Sequence, residues 1–315
     1  VGGGKLRIAF LGTPDFAVPS LRMLVAAGHD VAGVFTQPDR PRDRGLAESP
    51  SSVKLAALEL GLRVNEFVRI RRPEGVAAME QLAPDVMVTA AFGQILSQKL
   101  LDIPKYGCVN VHASLLPKYR GPAPIQWAVI RGETETGITT MLTDAGIDTG
   151  DILLQRKTDI APDETAGELF ARLAALGAET LIETLRLMES GKLRRAPQDH
   201  AAATHFPMLT KEDGRVDWSK KPKEICDLVR GVNPWPGAWT SCRNETLKIW
   251  KAEPAPFCGE PGVVLKANHR DGFVVGALDG SVRILDVQMQ GKKRMNCAQY
   301  LCGCRLEEGK ALDAG

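Results

Sequence analysis

"KLRIAFLGTPDFAVPSLRMLVAAGHD", residues Lys5 to Asp30, decides how the first half of the chain is read. Its opening is a buried-strand pattern that ends in a glycine turn at Gly12. The rest has helical spacing and closes on Gly28. A second strand, "VAGVFTQ", follows directly. Outward from there the alternation repeats: a helix in "SVKLAALELGL", then a helix and a strongly apolar strand, Val86 to Ala91, in "EGVAAMEQLAPDVMVTAAFGQIL". "GCVNVHAS" is another strand and "PIQWAVIRG" a helix. "TGITTMLTD" and "TGDILLQRKTDI" read as paired strands, and "AGELFARLAALGAETLIETLRLMES" as one long amphipathic helix. Strands alternating with helices predict an α/β domain over residues 1–190: an open, mostly parallel, Rossmann-like sheet covered on both faces.

The pattern then changes. Residues 191–207 have no sustained periodicity and read as a linker. Residues 208–315 hold one short helix, "KPKEICDLVRGV", and closely spaced strand candidates, "LKIWKAE", "GVVLKA", "GFVVGAL" and "SVRILDVQM". That spacing predicts a small, OB-like β-barrel as a second domain.

Composition excludes several classes. At 44% hydrophobic and 25% charged residues the 315-residue chain is ordinary for a globular protein. No apolar run approaches the roughly 20 residues that cross a bilayer. The first residues run into a strand without the layout of a secretion signal, so a cytoplasmic protein is expected. Seven scattered cysteines, an odd number, fit reduced thiols. Cys302 and Cys304 form a C-x-C pair with no second pair at zinc spacing, so no metal is expected. After the first strand, Pro14 and Ala17 stand where G-x-G-x-x-G wants glycines, and no phosphate-loop motif occurs, so neither NAD nor ATP is expected. The net charge of +2 is small, but residues 206–315 carry 17 Lys and Arg against 14 Asp and Glu, a hint of a polyanionic partner.

The chemistry concentrates in "NVHASLLPKYRGPAPIQW", Asn110 to Trp127. Residues two apart on a strand share a face, so Asn110 and His112 project together, toward the strand end where open α/β sheets place ligands. A lone strand histidine also fits a satisfied structural residue. The prolines and glycine that follow stiffen the adjoining loop. Downstream, Gly146 and Gly150 bracket Asp148, either as an Asx-turn carboxylate or as the group that orients His112 and favours its charged form. Asn, His and Asp without a nearby Ser or Cys nucleophile point to direct group transfer.

Those residues, together with "FLGTPDFAVPSL", "VFTQPDRP", "GIDTGD", "NPWPGAW" and the late "GKKRM", resemble the methionyl-tRNA formyltransferase family from Leu6 to about Leu306. The resemblance implies transfer of the formyl group of 10-formyltetrahydrofolate to the α-amine of methionyl initiator tRNA, with Asn110, His112 and Asp148 catalytic. It places Phe92, Gln94, Ile95, Leu96, Ser114, Leu115, Leu116 and Pro117 at the folate. It puts Arg40, Arg42 and Arg44 near the tRNA. Lys248, Lys251, Lys292, Lys293 and Arg294 are read from their charge as a phosphate-facing patch. The chain departs from the family where "RDRGLAES" replaces a lysine pair by Leu46 and Ala47, and where Met208 replaces a usual lysine. Trp235 and Trp239 are expected to anchor the barrel against a neighbouring segment. The protein is expected to act as a monomer, without a membrane. Two rivals remain at this point: a 10-formyltetrahydrofolate transferase for a small amine, and an RNA-binding module on a decayed transferase fold.

Overall fold

The computed structural model describes residues 6–41, 48–268 and 270–312, with the side chains of residues 40, 41 and 48 excepted. They fall into two compact units. The first runs to Pro124 and includes Glu135–Asp159 and Phe170–Phe206; the second comprises Ile125–Thr134, Ile160–Leu169 and the chain from Pro207 onward.

In the first unit, β1 (Arg7–Gly12), β2 (Asp30–Thr36), β3 (Val64–Glu66), β4 (Val86–Ala90), β5 (Cys108–His112), β6 (Glu135–Leu142) and β7 (Ile152–Asp159) form one sheet. The strand order is β3-β2-β1-β4-β5-β6-β7. The first five are parallel, and β6 and β7 add an antiparallel edge. All five residues of β4 are buried, as a parallel strand covered on both faces requires. Helices α1 (Val18–Ala26), α2 (Ser52–Glu59) and α3 (Pro73–Leu82) make the crossovers. Ser51 caps α2, its hydroxyl accepting from the Lys54 N–H at 3.0 Å. A short α4 (Gln98–Leu101) precedes β5, and α5 (Pro124–Ile130) follows it.

In α6 (Ala166–Glu189), Leu173, Ala174, Ala178, Leu181 and Leu185 are buried on one stripe. Gly177 lets that helix come close to β5, since a Cβ there would lie 3.0 Å from Val111 Cγ1. Val111 faces away from Asn110 and His112, so the helix side of β5 is packed and the other side carries the polar pair. Strand order reverses between β1 and β4, and the ladders align Gly12 with Ala90 and Ala90 with Val111. The loops that follow β1, β4 and β5 therefore leave one sheet edge together, where this fold class binds ligands.

In the second unit, β8 (Ala238–Cys242), β9 (Glu245–Ala255), β10 (Val264–Asn268), β11 (Gly272–Ala277) and β12 (Gly280–Met289) pair antiparallel in the order β8-β9-β12-β11-β10. A two-residue β13 (Met295–Asn296) adds to β12. Arg243 and Asn244 join β8 to β9 with φ of 55° and 58°, the left-handed pair that a tight hairpin needs. Helix α7 (Pro222–Gly231) presents Ile225 and Val229 to a core with Leu247, Ile249, Phe273 and Val282. Asp227 on the same helix is held between Lys223 at 2.6 Å and Arg230 at 2.8 Å. A last helix, α8 (Cys297–Gly303), packs Cys297 and Tyr300 into this core.

Two expectations change. Within the stretch 191–207, read as a linker, residues 196–206 are tied along the first unit: Ile152 and Ala196 exchange both backbone hydrogen bonds, and Arg120 pairs with Thr204 and Phe206. These are isolated bridges, too short to impose a side-chain period. Of the two tryptophans expected to anchor the second unit, Trp239 does so. Its indole N–H donates to the Lys211 carbonyl at 3.0 Å, and the Arg215 guanidinium lies over the ring. Trp235 is 52% exposed.

Candidate active site

Asn110 and His112 occupy the third and fifth positions of β5. The Thr89 hydroxyl, directly across the β4–β5 ladder, donates to Asn110 Oδ1 at 2.8 Å. Thr89 in turn accepts from the Cys108 thiol at 4.0 Å. Burial pushes that thiol up to about 11, so it stays protonated and remains a donor. The chain of donors ends at Asn110, whose oxygen is satisfied and whose Nδ2 hydrogens are left for a ligand.

His112 is buried, and its Nε2 lies 2.9 Å from the Tyr119 carbonyl oxygen. A carbonyl only accepts, so Nε2 carries the hydrogen. Nδ1 faces Asp148 Oδ1 at 3.7 Å. That separation suits a charge interaction and is too long for a hydrogen bond, so the Nδ1 edge is the one open to a reacting atom. The other carboxylate oxygen of Asp148 accepts from the Gly121 N–H at 2.8 Å. Asp148 itself sits in the left-handed region at φ 54°, which Asp tolerates in turns. The Asx-turn role belongs to Asp144, whose Oδ1 accepts from the Gly146 N–H and the Thr149 hydroxyl. Asp148 is thereby left to face the histidine.

The loop expected at the folate is rigid. The buried Ser114 hydroxyl donates to the Lys118 carbonyl at 2.7 Å, so it braces the loop rather than offering itself to a ligand. Leu116 is buried, its N–H donating to Thr139 Oγ1 and its carbonyl accepting from Gln155; a cis bond joins it to Pro117. Leu115 and Pro117 are half-buried.

In the loop after β4, the Phe92 carbonyl accepts from Thr13 and Gln37, both at 3.0 Å. Gln94 is spent at both ends, accepting from the Ile70 N–H and donating to the Phe67 carbonyl. Its contribution to a ligand site is therefore through the backbone it anchors. Leu96 is half-buried and Ile95 is 69% exposed. An open cleft of about 660 Å³, lined by Glu66, Phe67, Val68, Arg69, Arg72 and Glu74, lies beside the Gln94 anchors rather than over His112.

In the second unit Lys248 and Arg294 both lie over the Trp250 ring, at 5.4 and 5.5 Å. Arg294 also pairs with Asp286 at 2.7 Å, and Lys251, Lys292 and Lys293 are exposed nearby on β9 and the turn after β12. Trp250 donates to Gln288, which donates to the Lys292 carbonyl, so this patch is built on a fixed aromatic base. Arg42 and Arg44 lie outside the described residues, as does the Arg40 side chain. Among the described residues no group of three metal-ligating side chains occurs, and no helix is long and apolar enough to cross a membrane.

Sequence reasoning missed Thr89, Tyr119, Thr139 and Gln155, which act on the site through register and backbone. Thr13 and Gln37 lie in "GTPDFA" and "TQPD", two of the quoted motifs, and their roles emerge only from the loop they hold.

Comparison with known proteins agrees across the chain. The formyl transferase family matches residues 6–185, and its C-terminal domain family matches 208–305. The methionyl-tRNA formyltransferase of Geobacter metallireducens is 52% identical over 307 residues, covering 98% of both chains. That of Acetivibrio thermocellus is 49% identical over 310 residues, covering 98% of this chain and 99% of its own. Among solved structures, HypX from Aquifex aeolicus in complex with tetrahydrofolic acid superposes with a TM-score of 0.62 at 20% identity, over 95% of this chain and 47% of its own. The sugar 3N-formyl transferase WlaRD, with dTDP and 5-N-formyl-THF, superposes at 0.67 and 20% identity, over 91% of this chain and 99% of its own. At that identity the two structures speak for the fold; the likeness at about half identity along both units settles the lineage, and the chain belongs to the methionyl-tRNA formyltransferase family.

Proposed function

We infer that this protein transfers the formyl group of 10-formyltetrahydrofolate to the α-amino group of methionyl initiator tRNA, with Asn110, His112 and Asp148 as its catalytic residues. The observation that carries the assignment of residues is the convergence of these three side chains at one sheet edge, with the Asn110 amide hydrogens and the His112 Nδ1 edge left open.

An aminoacyl α-amine has a pKa near ~8, so much of it is neutral at physiological pH and needs little base assistance. Its nitrogen bonds to the formyl carbon, and the carbonyl electron pair moves onto oxygen. When that intermediate collapses, the bond from carbon to the folate nitrogen breaks, the amine loses one proton and the leaving nitrogen gains one. Asn110 donates to the oxyanion, a contribution typically worth about 3 kcal/mol. His112 stabilises the same charge and relays the proton at Nδ1, with Asp148 holding the ring's orientation. The 92–96 loop and Ser114–Pro117 form the walls against the folate, in the second case through Leu115 and Pro117. The patch of Lys248, Lys251, Lys292, Lys293 and Arg294 meets the tRNA phosphates, aided from the first unit by Arg40, Arg42 and Arg44. The domain reading with a catalytic part up to about residue 190 is best redrawn to run to Phe206, given the backbone pairing of 196–206. Action as a monomer in a cytoplasmic setting completes the proposal.

The deciding assay is formylation of methionyl-tRNA by the purified protein with 10-formyltetrahydrofolate, run beside a small amino sugar as acceptor. Turnover of the sugar with no turnover of the tRNA would overturn the acceptor assignment.

A further inference from the structure

His112 is held from two sides, and both holders depend on residues of the stretch first read as a linker. On one side is Asp148. Gln198 Nε2 donates to the Asp148 carbonyl at 3.0 Å and to the Gly150 carbonyl at 2.7 Å, gripping the turn that carries the carboxylate. Gln198 Oε1 accepts from Arg120 Nε at 3.1 Å and Nη2 at 2.6 Å. Both amide hydrogens and both oxygen lone pairs are therefore used. Gln198 and Arg120 are 6% and 3% exposed, so water cannot replace these bonds without rearrangement.

On the other side is the Tyr119 carbonyl, which accepts from His112 Nε2. The Tyr119 N–H donates to Thr204 Oγ1 at 2.8 Å. The Arg120 N–H donates to the Thr204 carbonyl at 2.9 Å, and the Phe206 N–H to the Arg120 carbonyl at 3.0 Å. The Phe206 ring stacks on Tyr119, centroids 5.0 Å apart and planes 11° from parallel.

We propose that Gln198 and Thr204 are positioning residues for formyl transfer, fixing the Asp148 carboxylate and the Tyr119 carbonyl that orient His112, and that residues 196–206 form a strap across the catalytic edge. Neither side chain touches the reacting atoms. Gln198 sets where the Asp148 carboxylate stands, and Thr204 sets where the Tyr119 carbonyl stands. Their combined effect is to aim Nδ1. The inference rests on the reading that His112 takes part in the reaction.

The test compares Gln198→Leu, Gln198→Glu, Thr204→Val and Thr204→Ser with His112→Ala, measuring kcat, KM for each substrate and the pH dependence of kcat. Misplacing a catalytic group by a fraction of an ångström costs rate more than affinity. Gln198→Leu and Thr204→Val should therefore lose about tenfold or more in kcat, with KM for 10-formyltetrahydrofolate within about twofold of wild type. The kcat–pH profile should shift in both. Gln198→Glu keeps the acceptor for Arg120 and loses both donors, so it should behave like Gln198→Leu in rate while remaining folded. Thr204→Ser restores the acceptor and should recover most of the rate.

Wild-type kcat and pH profile in folded Thr204→Val or Gln198→Glu overturns the proposal. So does a loss of rate that Thr204→Ser fails to rescue. Thr204→Val that does not fold beside a folded Thr204→Ser would make the bond structural and counts against it equally. Full activity in His112→Ala sinks the catalytic assignment itself; loss there with unaffected strap variants sinks this inference alone.

Discussion

Gly121→Ala tests the catalytic edge at its tightest point. Gly121 has φ of 110°, where an L side chain is strained, and a Cβ built there would lie 2.3 Å from the Phe206 carbonyl oxygen. Ordinary contact begins near 3.4 Å, so the loop and the strap must part by about 1.1 Å, the difference between these distances. Positive φ costs alanine about 1–2 kcal/mol, and overpacking adds about 1–3 kcal/mol. A loss of roughly 2–5 kcal/mol should lower Tm by about 5–15 °C for a unit of this size. The Gly121 N–H also holds Asp148 Oδ2, and a shift of about 1 Å at a catalytic group costs roughly 10² in rate. The assay is kcat at a temperature where both proteins are folded, with thermal melts alongside. Gly191→Ala is the control: its φ is 65°, but nothing lies within 4 Å of the added carbon. It should cost about 1–2 kcal/mol through the backbone alone and leave kcat unchanged. Wild-type kcat in Gly121→Ala, or an equal loss in Gly191→Ala, would refute the reasoning.

His112→Ala and Asp148→Asn should each lose about 10² or more in kcat while remaining folded, and a well-folded His112→Ala protein with near-normal turnover removes it from the mechanism. Thr89→Val should lower kcat severalfold by releasing the Asn110 amide, with Thr89→Ser recovering it; equal rates in the two variants would show that the 2.8 Å bond does not orient Asn110. Reversing charge at Lys292, Lys293 and Arg294 should raise KM for tRNA and lower the slope of log K against log salt by roughly 0.7–0.9 per lost phosphate contact, leaving folate affinity alone; an unchanged slope takes the patch out of tRNA binding. Burial pushes the thiols of Cys108, Cys226 and Cys297 up to about 11, 12 and 12 from an ordinary 9.0. The folded state then keeps protons that the unfolded chain loses, so this contribution is complete below pH 9 and lost as pH rises toward 11–12. Denaturant midpoints should fall between pH 8.5 and 11, and a flat profile would count against it.

The parallel sheet was legible because its strands are continuous apolar runs and its helices carry a clear stripe, as in Val86–Ala90 and Leu173–Leu185. Asn110 and His112 were legible together because a period of two fixes their common face. What could not be read depends on register and backbone pairing. Thr89 meets Asn110 only once β4 and β5 are in register, and nothing in "VMVTAA" marks its hydroxyl as a donor to the site. The strap pairs only at isolated bridges, so "APQDHAAATHFP" shows neither helical nor strand alternation. Strand β3, only "VNE", and strand β8, "AWTSC", are too short or too mixed in polarity to stand out. The exposed Trp235 inverts the usual inference from a large aromatic side chain, because the "NPWPGAW" turn needs only Trp239 to anchor.

The second unit's membership has a consequence for synthesis on the ribosome. Its pieces 125–134 and 160–169 emerge early, while their packing partners come last. Ile130 rests against Gly231, the Trp127 indole donates to the Pro207 carbonyl, and Arg230 bonds the Glu164 carbonyl. None of these partners exists until the chain has passed Phe206. At about 5–20 residues per second, the stretch from Pro207 to the end of α7 at Gly231 takes roughly 1–5 s to appear. Through that interval a nascent chain can complete the parallel sheet and strap while two excursions, with Ile125, Val129, Ile160 and Leu169 among their core residues, stay uncovered. Those excursions are where a nascent-chain chaperone should bind, and where it should let go once α7 has been made.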